Sequence, residues 1–419
     1  MNIITLPQLP WHATGELRLS LPDQWKVTCY PMAGADKPAL KQEEIQSALA
    51  CPIGIPPIRK LARNKKEVVI IFDDMTRVTR AAEIVPFVLE ELAAAGIPDK
   101  NIRFVCALGS HGAHNRLDFE KKLGAAVLDR FPVYNHNAFS RGTYVGTTGT
   151  YKTNVYINEE VMKCDFKIAI GMVAPHPATG FGGGGKIILP GVASQAAIEH
   201  NHRMALQDAL NHQDNPVIGM GNYDNNPVRM DIEEAATMAG LDVLINCMVN
   251  QWGETVSVFA GALLPTFTEA VGKAKEHYLT SGPKDEDIII ANAFAKASEA
   301  IAVGLRTAFG AARRKRSSVV LIANAPEGQV AHYLLGTFGR HTGGAMSMKV
   351  AVPDNIDRVL VYSEYADVAG RDYIEETEKV IFMSRWGDVL DVLKGAVNGK
   401  AAVAVYPAAD IQYTQPPVR

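Results

Sequence analysis

Short apolar runs rich in Val and Ile recur along this chain between stretches of helical periodicity, and that alternation leaves few folds open. A strand that is apolar at nearly every position must be buried on both faces, which is the condition of a parallel sheet covered by its crossover helices. The runs are Val68–Phe72, Arg103–Ala107, Phe166–Val173, Asp242–Val249 and Thr255–Ala260, then Asp287–Ala291, Ser318–Ala323, Arg358–Ser363, Val380–Ser384 and Ala401–Tyr406. Ala81–Ala95, Ala297–Ala312 and Trp386–Val397 have the spacing of helices. The chain therefore reads as α/β. Its 419 residues exceed what one hydrophobic core organises, so two domains are expected, each with a largely parallel sheet flanked by helices and with the active site in the cleft between them. The Gly282-Pro283 pair and the charges after it interrupt a helix and precede a fresh buried strand. That places the first domain at 1–280, the second at 281–406, and leaves 407–419 as a tail that is loose or packs back on the first domain.

Lys plus Arg (42) nearly balances Asp plus Glu (45), for a formal charge of −3. Such a balance gives no electrostatic footprint for nucleic acid or an anionic membrane. Cys29, Cys51, Cys106, Cys164 and Cys247 are scattered and odd in number, which argues for reduced thiols and against a disulfide framework or a cysteine zinc site. The N-terminus lacks the pattern of a signal peptide, and no apolar run approaches the roughly 20 residues that span a bilayer. A cytoplasmic protein is expected.

The most informative stretch runs from Val173 to Gly191 and contains Gly182, Gly183, Gly184 and Gly185 immediately before Lys186. Consecutive glycines let backbone N–H groups crowd round an anion, and they follow a strand end, where open α/β sheets bind ligands. A phosphate or nucleotide is expected here. Gly180 to Lys186 also satisfies part of a P-loop, which keeps a nucleotide phosphotransferase in view. Against it, Ile187 stands where a magnesium-binding hydroxyl is needed, and Ile188-Leu189-Pro190-Gly191 forbids the helix that should follow. Three other segments carry polar groups to strand ends or beyond: Asp73-Asp74-Met75-Thr76-Arg77, Cys106 to His111, and Ser194 to His202. In the last, Ser194 is a candidate N-cap, and His200 and His202, two apart on a helix, cannot share a face. Arg77 suits a bidentate carboxylate clamp. His, Arg and Asp on several strand-end loops beside a glycine cradle make one convergent site.

These motifs together resemble the nickel-dependent lactate racemases, which use a pyridinium-3,5-bisthiocarboxylic acid mononucleotide, the nickel-pincer nucleotide. The matching residues are Asp73–Arg77, Ala107–His111, Pro175–Gly191, Asn201-His202 beyond the lysine, Asn226 to Asp231, and Val258–Gly261. The resemblance implies that Lys186 holds the cofactor covalently, that His202 is the protein ligand of nickel, and that His111 and His176 are the acid/base pair. It implies contacts to cofactor or substrate from Asp74, Arg77 and Gly182 to Gly185, and a first domain that binds the cofactor. The activity implied is inversion of C2 of a 2-hydroxy acid by hydride transfer, with cofactor-biosynthesis proteins as partners. A non-catalytic protein that binds the nickel-pincer nucleotide is the alternative.

The chain departs from the family at Val78 and Gly112, and more in the second domain, where Asn292-Ala293-Phe294 aligns with a Gly-Gly-Tyr turn and Ala302 and Leu305 with a Gln and a Lys. These departures point away from lactate itself. They predict added apolar surface on that side and a substrate larger or less polar than lactate. Lys296 and His341 are the candidate substrate contacts there, with Arg306 also available; as helix charges, Lys296 and Arg306 are expected to be solvated.

Overall fold

In the computed structural model, residues 2–12, 15–212, 217–282, 286–312, 316–339, 346 and 349–414 are described. They form two six-stranded sheets. From edge to edge the first contains Thr255–Gly261, Val243–Val249, Phe166–Met172, Val68–Asp73, Ile102–Ala107 and Val133–Asn135. All neighbours are parallel except the edge pair Thr255–Gly261 and Val243–Val249. Three central strands, Val68–Asp73, Phe166–Met172 and Val243–Val249, are buried at every residue, as their unbroken apolar runs require. Helices such as Ala81–Ala94 and Leu263–His277 pack into the same core.

The second sheet contains Val380–Met383, Ile356–Tyr362, Ser317–Ile322, Ile288–Asn292, Ala402–Tyr406 and Lys26–Cys29, all parallel. Its last strand corrects the expected division at residue 280. Lys26–Cys29 pairs with Ala402–Val405, and the antiparallel hairpin Asn2–Gln8 with Gly15–Leu21 lays Leu6, Leu19 and Leu21 against Ile288, Val320 and Val403. Residues 2–29 thus complete the second sheet instead of opening the first. At the other end of the chain, Ala408, Ile411 and Tyr413 enter the first-domain core, and the Tyr413 ring meets Phe181 edge-on at 5.8 Å. Residues 415–419 lie outside the described residues.

Strand order locates the cleft. From Val68–Asp73 the first sheet grows one way through Ile102–Ala107, and from Phe166–Met172 it grows the other way, so the chain leaves these two neighbours in opposite directions. A crevice opens at such a switch point, beyond the carboxyl ends of the strands. The second sheet has the same feature between Ile288–Asn292 and Ala402–Tyr406. There Asp410 Oδ2 accepts the N–H groups of Phe294 (2.9 Å) and Lys296 (2.5 Å), fixing the segment that leads to Glu299.

Candidate active site

One cavity is lined by Asp73, Asp74 and Arg77, by His111, by His176 and Lys186, and by His202. Gly182, Gly183 and Gly184 form part of its wall, and the second domain contributes Glu299 and His332. Lys186 lies in the 3-10 turn Gly184–Ile187 and His202 on the helix Gln195–Asn211, which starts as expected with Ser194 Oγ accepting from Ala197 N–H (3.4 Å). On that helix His202 lines the cavity, whereas His200 turns away and bonds the Tyr151 carbonyl (2.8 Å). His136 is likewise spent on structure, bonding the Ala193 carbonyl at 2.8 Å.

Asp74, His111, Glu299 and Arg77 form a continuous chain. His111 Nδ1 lies 2.5 Å from Asp74 and its Nε2 3.1 Å from Glu299 Oε1, while Arg77 Nη1 donates to Glu299 Oε2 at 2.6 Å. Burial works against a charged His111, but Asp74 and then Glu299 outweigh it and push its pKa up to about 9. Burial also opposes ionisation of Asp74 and Glu299; His111 and Arg77 overcome that and hold both carboxyls below their usual range. Beneath them the fully buried Lys122 ammonium meets Asp73 at 2.8 Å and donates to the carbonyls of Asp74 and Arg77. The turn that presents Asp74 and Arg77 is therefore pinned from below.

Lys186 and His176 have the opposite character. His176 Nδ1 accepts from the N–H groups of Ala178 (3.1 Å) and Thr179 (3.3 Å), so the proton of a neutral ring sits on Nε2, 3.0 Å from Lys186 Nζ. The lysine accepts that proton through its lone pair. Burial, with Arg77 and Arg229 nearby, lowers the Lys186 pKa far below that of a free lysine; burial and Lys186 do the same to His176. His202 Nδ1 donates to the Ile198 carbonyl (2.9 Å), leaving Nε2 without a partner among the described residues. Burial and then Lys186 hold its pKa at about 4, so the ring is neutral and its free nitrogen can ligate.

The glycine run corrects the expected anion nest. Gly182 N–H donates to the Ala174 carbonyl (2.7 Å), Gly184 N–H to Asn246 Oδ1 (2.9 Å), and Gly185 N–H to Glu233 (3.2 Å). Arg229 bonds the carbonyls of Phe181 and Gly183 and pairs with Glu233 at 2.8 Å. What demands glycine is close packing: Gly184 has φ +61°, and a Cβ there would lie 2.7 Å from the Phe267 ring. Only a short 3-10 turn, Gly184–Ile187, follows, so the P-loop reading lacks its helix, and three of the four glycine amides are already bonded.

In the second domain, Leu305 is wholly buried in the core of that domain and does not line the cavity. Leu305 therefore adds no apolar surface to the cavity. Lys296 is buried instead of solvated, donating to the Pro175 carbonyl at 2.9 Å, and burial, then Arg77, lowers its pKa to about 8. Arg306 is exposed. His341 and the side chain of Ala302 lie outside the described residues. Glu299 and His332 escaped the sequence reading, although both follow carboxyl ends of second-sheet strands, the rule that found Asp74 and His111.

Fold and cavity together define an α/β protein with two largely parallel sheets and a cavity lined from both. Residues 12–213 match the family described as the lactate racemase N-terminal domain. Over that stretch, just under half of its length, the chain is similar to the lactate racemase family. It is 29% identical over 254 residues to a lactate racemase of Thermoanaerobacterium thermosaccharolyticum, a match covering 60% of this chain and 58% of that protein, under two thirds of its length. To a lactate racemase of Lactiplantibacillus plantarum it is 29% identical over 294 residues, covering 69% and 67%. The fold is shared with the lactate racemase apoprotein of T. thermosaccharolyticum at a TM-score of 0.73 and 21% identity, over 99% of this chain and 100% of that one. A Thermotoga maritima protein shares it at 0.64 and 18%, over 90% and 99%. No helix among the described residues is long and apolar enough to cross a membrane, and all five cysteines are free.

Proposed function

We propose that this protein is a racemase or epimerase that inverts C2 of a 2-hydroxy acid with a nickel-pincer nucleotide held by Lys186 and His202. What carries this reading is the Lys186 amine, whose pKa burial lowers far below that of a free lysine, and an imidazole nitrogen of His202 without a partner among the described residues, both lining one cavity. An amine stripped of its proton can form a covalent linkage, and a neutral imidazole suits nickel. Among the described residues no three His, Cys, Asp or Glu side chains are grouped to hold a metal ion. A metal at His202 would therefore draw its remaining donors from its organic ligand, as a pincer provides. When bound, that group would take up and return the C2 hydrogen as hydride.

The remaining work falls to the chain's own residues. Arg77 binds the substrate carboxylate. His111, a cation at neutral pH, gives a proton to the oxygen on C2, and Asp74 fixes its ring through Nδ1. His176, neutral, serves as the base for the opposite enantiomer. Its Nε2 carries the proton as the ring stands, so that role requires a change of tautomer once the amine of Lys186 is consumed in the linkage. Two histidines whose surroundings drive their pKa values apart supply one acid and one base, which exchange roles with each inversion. The cofactor must be made by separate biosynthetic proteins, so the test uses protein co-produced with them. Intact mass should show an adduct on Lys186 with bound nickel, and chiral analysis should show inversion of a 2-hydroxy acid; a loaded protein that inverts none would leave only a binding role.

A further inference from the structure

Resting on that reading, we propose that Glu299 and His332 choose the substrate: a 2-hydroxy monocarboxylic acid with a hydroxyl at C3, in preference to an apolar C3 or a second carboxylate. In the pocket as it stands, Glu299 spans Arg77 (2.6 Å) and His111 Nε2 (3.1 Å) with its two oxygens. Those are the groups that would receive the carboxylate and the C2 oxygen of a hydroxy acid. The Glu299 carboxylate therefore occupies the place of those two substrate groups, and substrate entry removes both of its partners. A buried carboxylate left without donors is strongly disfavoured. Glu299 ends the 3-10 turn Ala297–Glu299 on the cavity wall, and a substrate hydroxyl at C3, the position next to the groups already held, can replace the lost donors.

His332 supplies the complementary half. Its Nδ1 accepts from the N–H groups of Leu334 (3.1 Å) and Leu335 (3.2 Å), which puts the proton of the neutral ring on Nε2. That nitrogen has no partner among the described residues. The ring stands edge-on to His111 with centroids 5.1 Å apart, and the backbone bond from Tyr333 N–H to the Ser110 carbonyl (2.8 Å) fixes it across the cleft. One acceptor and one donor on the same wall match a hydroxyl, which both donates and accepts. A methyl or isopropyl group would leave both unpaired, and a second carboxylate would meet the charge of Glu299.

The test compares glycerate, gluconate, lactate, 2-hydroxyisovalerate and malate, by calorimetric binding to cofactor-free protein and by C2 inversion with loaded enzyme. Sites built to bond a hydroxyl reject analogues lacking it far more strongly than apolar pockets do, so glycerate or gluconate should exceed lactate and malate in kcat/KM by at least about 100-fold. Glu299→Gln should shrink the glycerate-to-malate ratio by at least about tenfold, since it removes the repulsion, whereas Glu299→Asp should keep malate excluded. His332→Ala should shrink the glycerate-to-lactate ratio. Circular dichroism and adduct mass verify that each variant folds and loads. Lactate or malate matching glycerate, or ratios untouched by Glu299→Gln, would overturn the proposal and leave the racemase reading standing. Failure of every hydroxy acid to bind and to invert would remove both.

Discussion

At the residue scale, the cavity separates groups kept charged from groups kept neutral. Lys186 makes no ion pair among the described residues, so Lys186→Ala should abolish adduct formation in intact mass spectra while leaving the circular dichroism spectrum of the fold unchanged. His202→Ala should lose nickel, measured by metal analysis after co-production with the cofactor pathway. His200→Ala should keep it, because that ring is spent on the Tyr151 carbonyl; equal losses would mean the wrong ligand. His111 adds a pH signature. Its folded pKa of about 9 lies above the unfolded value of about 6.5. Its contribution is therefore fully present below about pH 6.5 and is lost as pH rises through about 9. The melting temperature of the cofactor-free protein should fall across that window, and His111→Gln should flatten the fall.

At the scale of elements, the glycine loop is held by the helix Pro227–Met238. Arg229 and Glu233, one turn apart on that helix, bond loop carbonyls and an amide while pairing with each other in full burial. Removing one partner of a buried pair strands the other, at a cost of about 3–5 kcal/mol. Arg229→Met should therefore lower denaturant stability by that amount and impair adduct formation, and the added change Glu233→Leu should recover part of the stability without restoring the loop. A neutral result from Arg229→Met would show that the loop holds its shape through packing alone. The sequence places the N-cap Asn226 of this helix beside its first-turn Pro227. It did not display the partners of the helix, because an arginine reaching a carbonyl elsewhere in the chain leaves no local spacing to read.

At the scale of the molecule, the two sheets are tied together at both ends of the chain. Residues 2–29 complete the second sheet, Ala408, Ile411 and Tyr413 enter the first core, and Trp11 Nε1 donates to the Met75 carbonyl (2.8 Å). Deleting residues 1–29 removes an edge strand and a hairpin that covers Ile288, Val320 and Val403. The truncated protein should lose the second sheet cooperatively, with limited proteolysis cutting first between residues 286 and 406. Retention of protection there would mean that the hairpin is only an appendage.

The sequence by itself determined the α/β class, the sheet strands long enough to show an apolar run, and the first-domain residues that meet in the cavity. Those signals are local: a period, a cap, a strand followed by a polar loop. It missed the short strand Lys26–Cys29, whose partner lies at Ala402–Val405, because pairing across the length of a chain has no period. Tertiary structure also decided that the loop glycines serve close packing, that Lys296 is buried, and that Leu305 belongs to a core. Above all it placed Glu299 on Arg77 and His111. A carboxylate from the second domain and a guanidinium from the first become one site only when two switch points face each other, and that is a property of the folded chain.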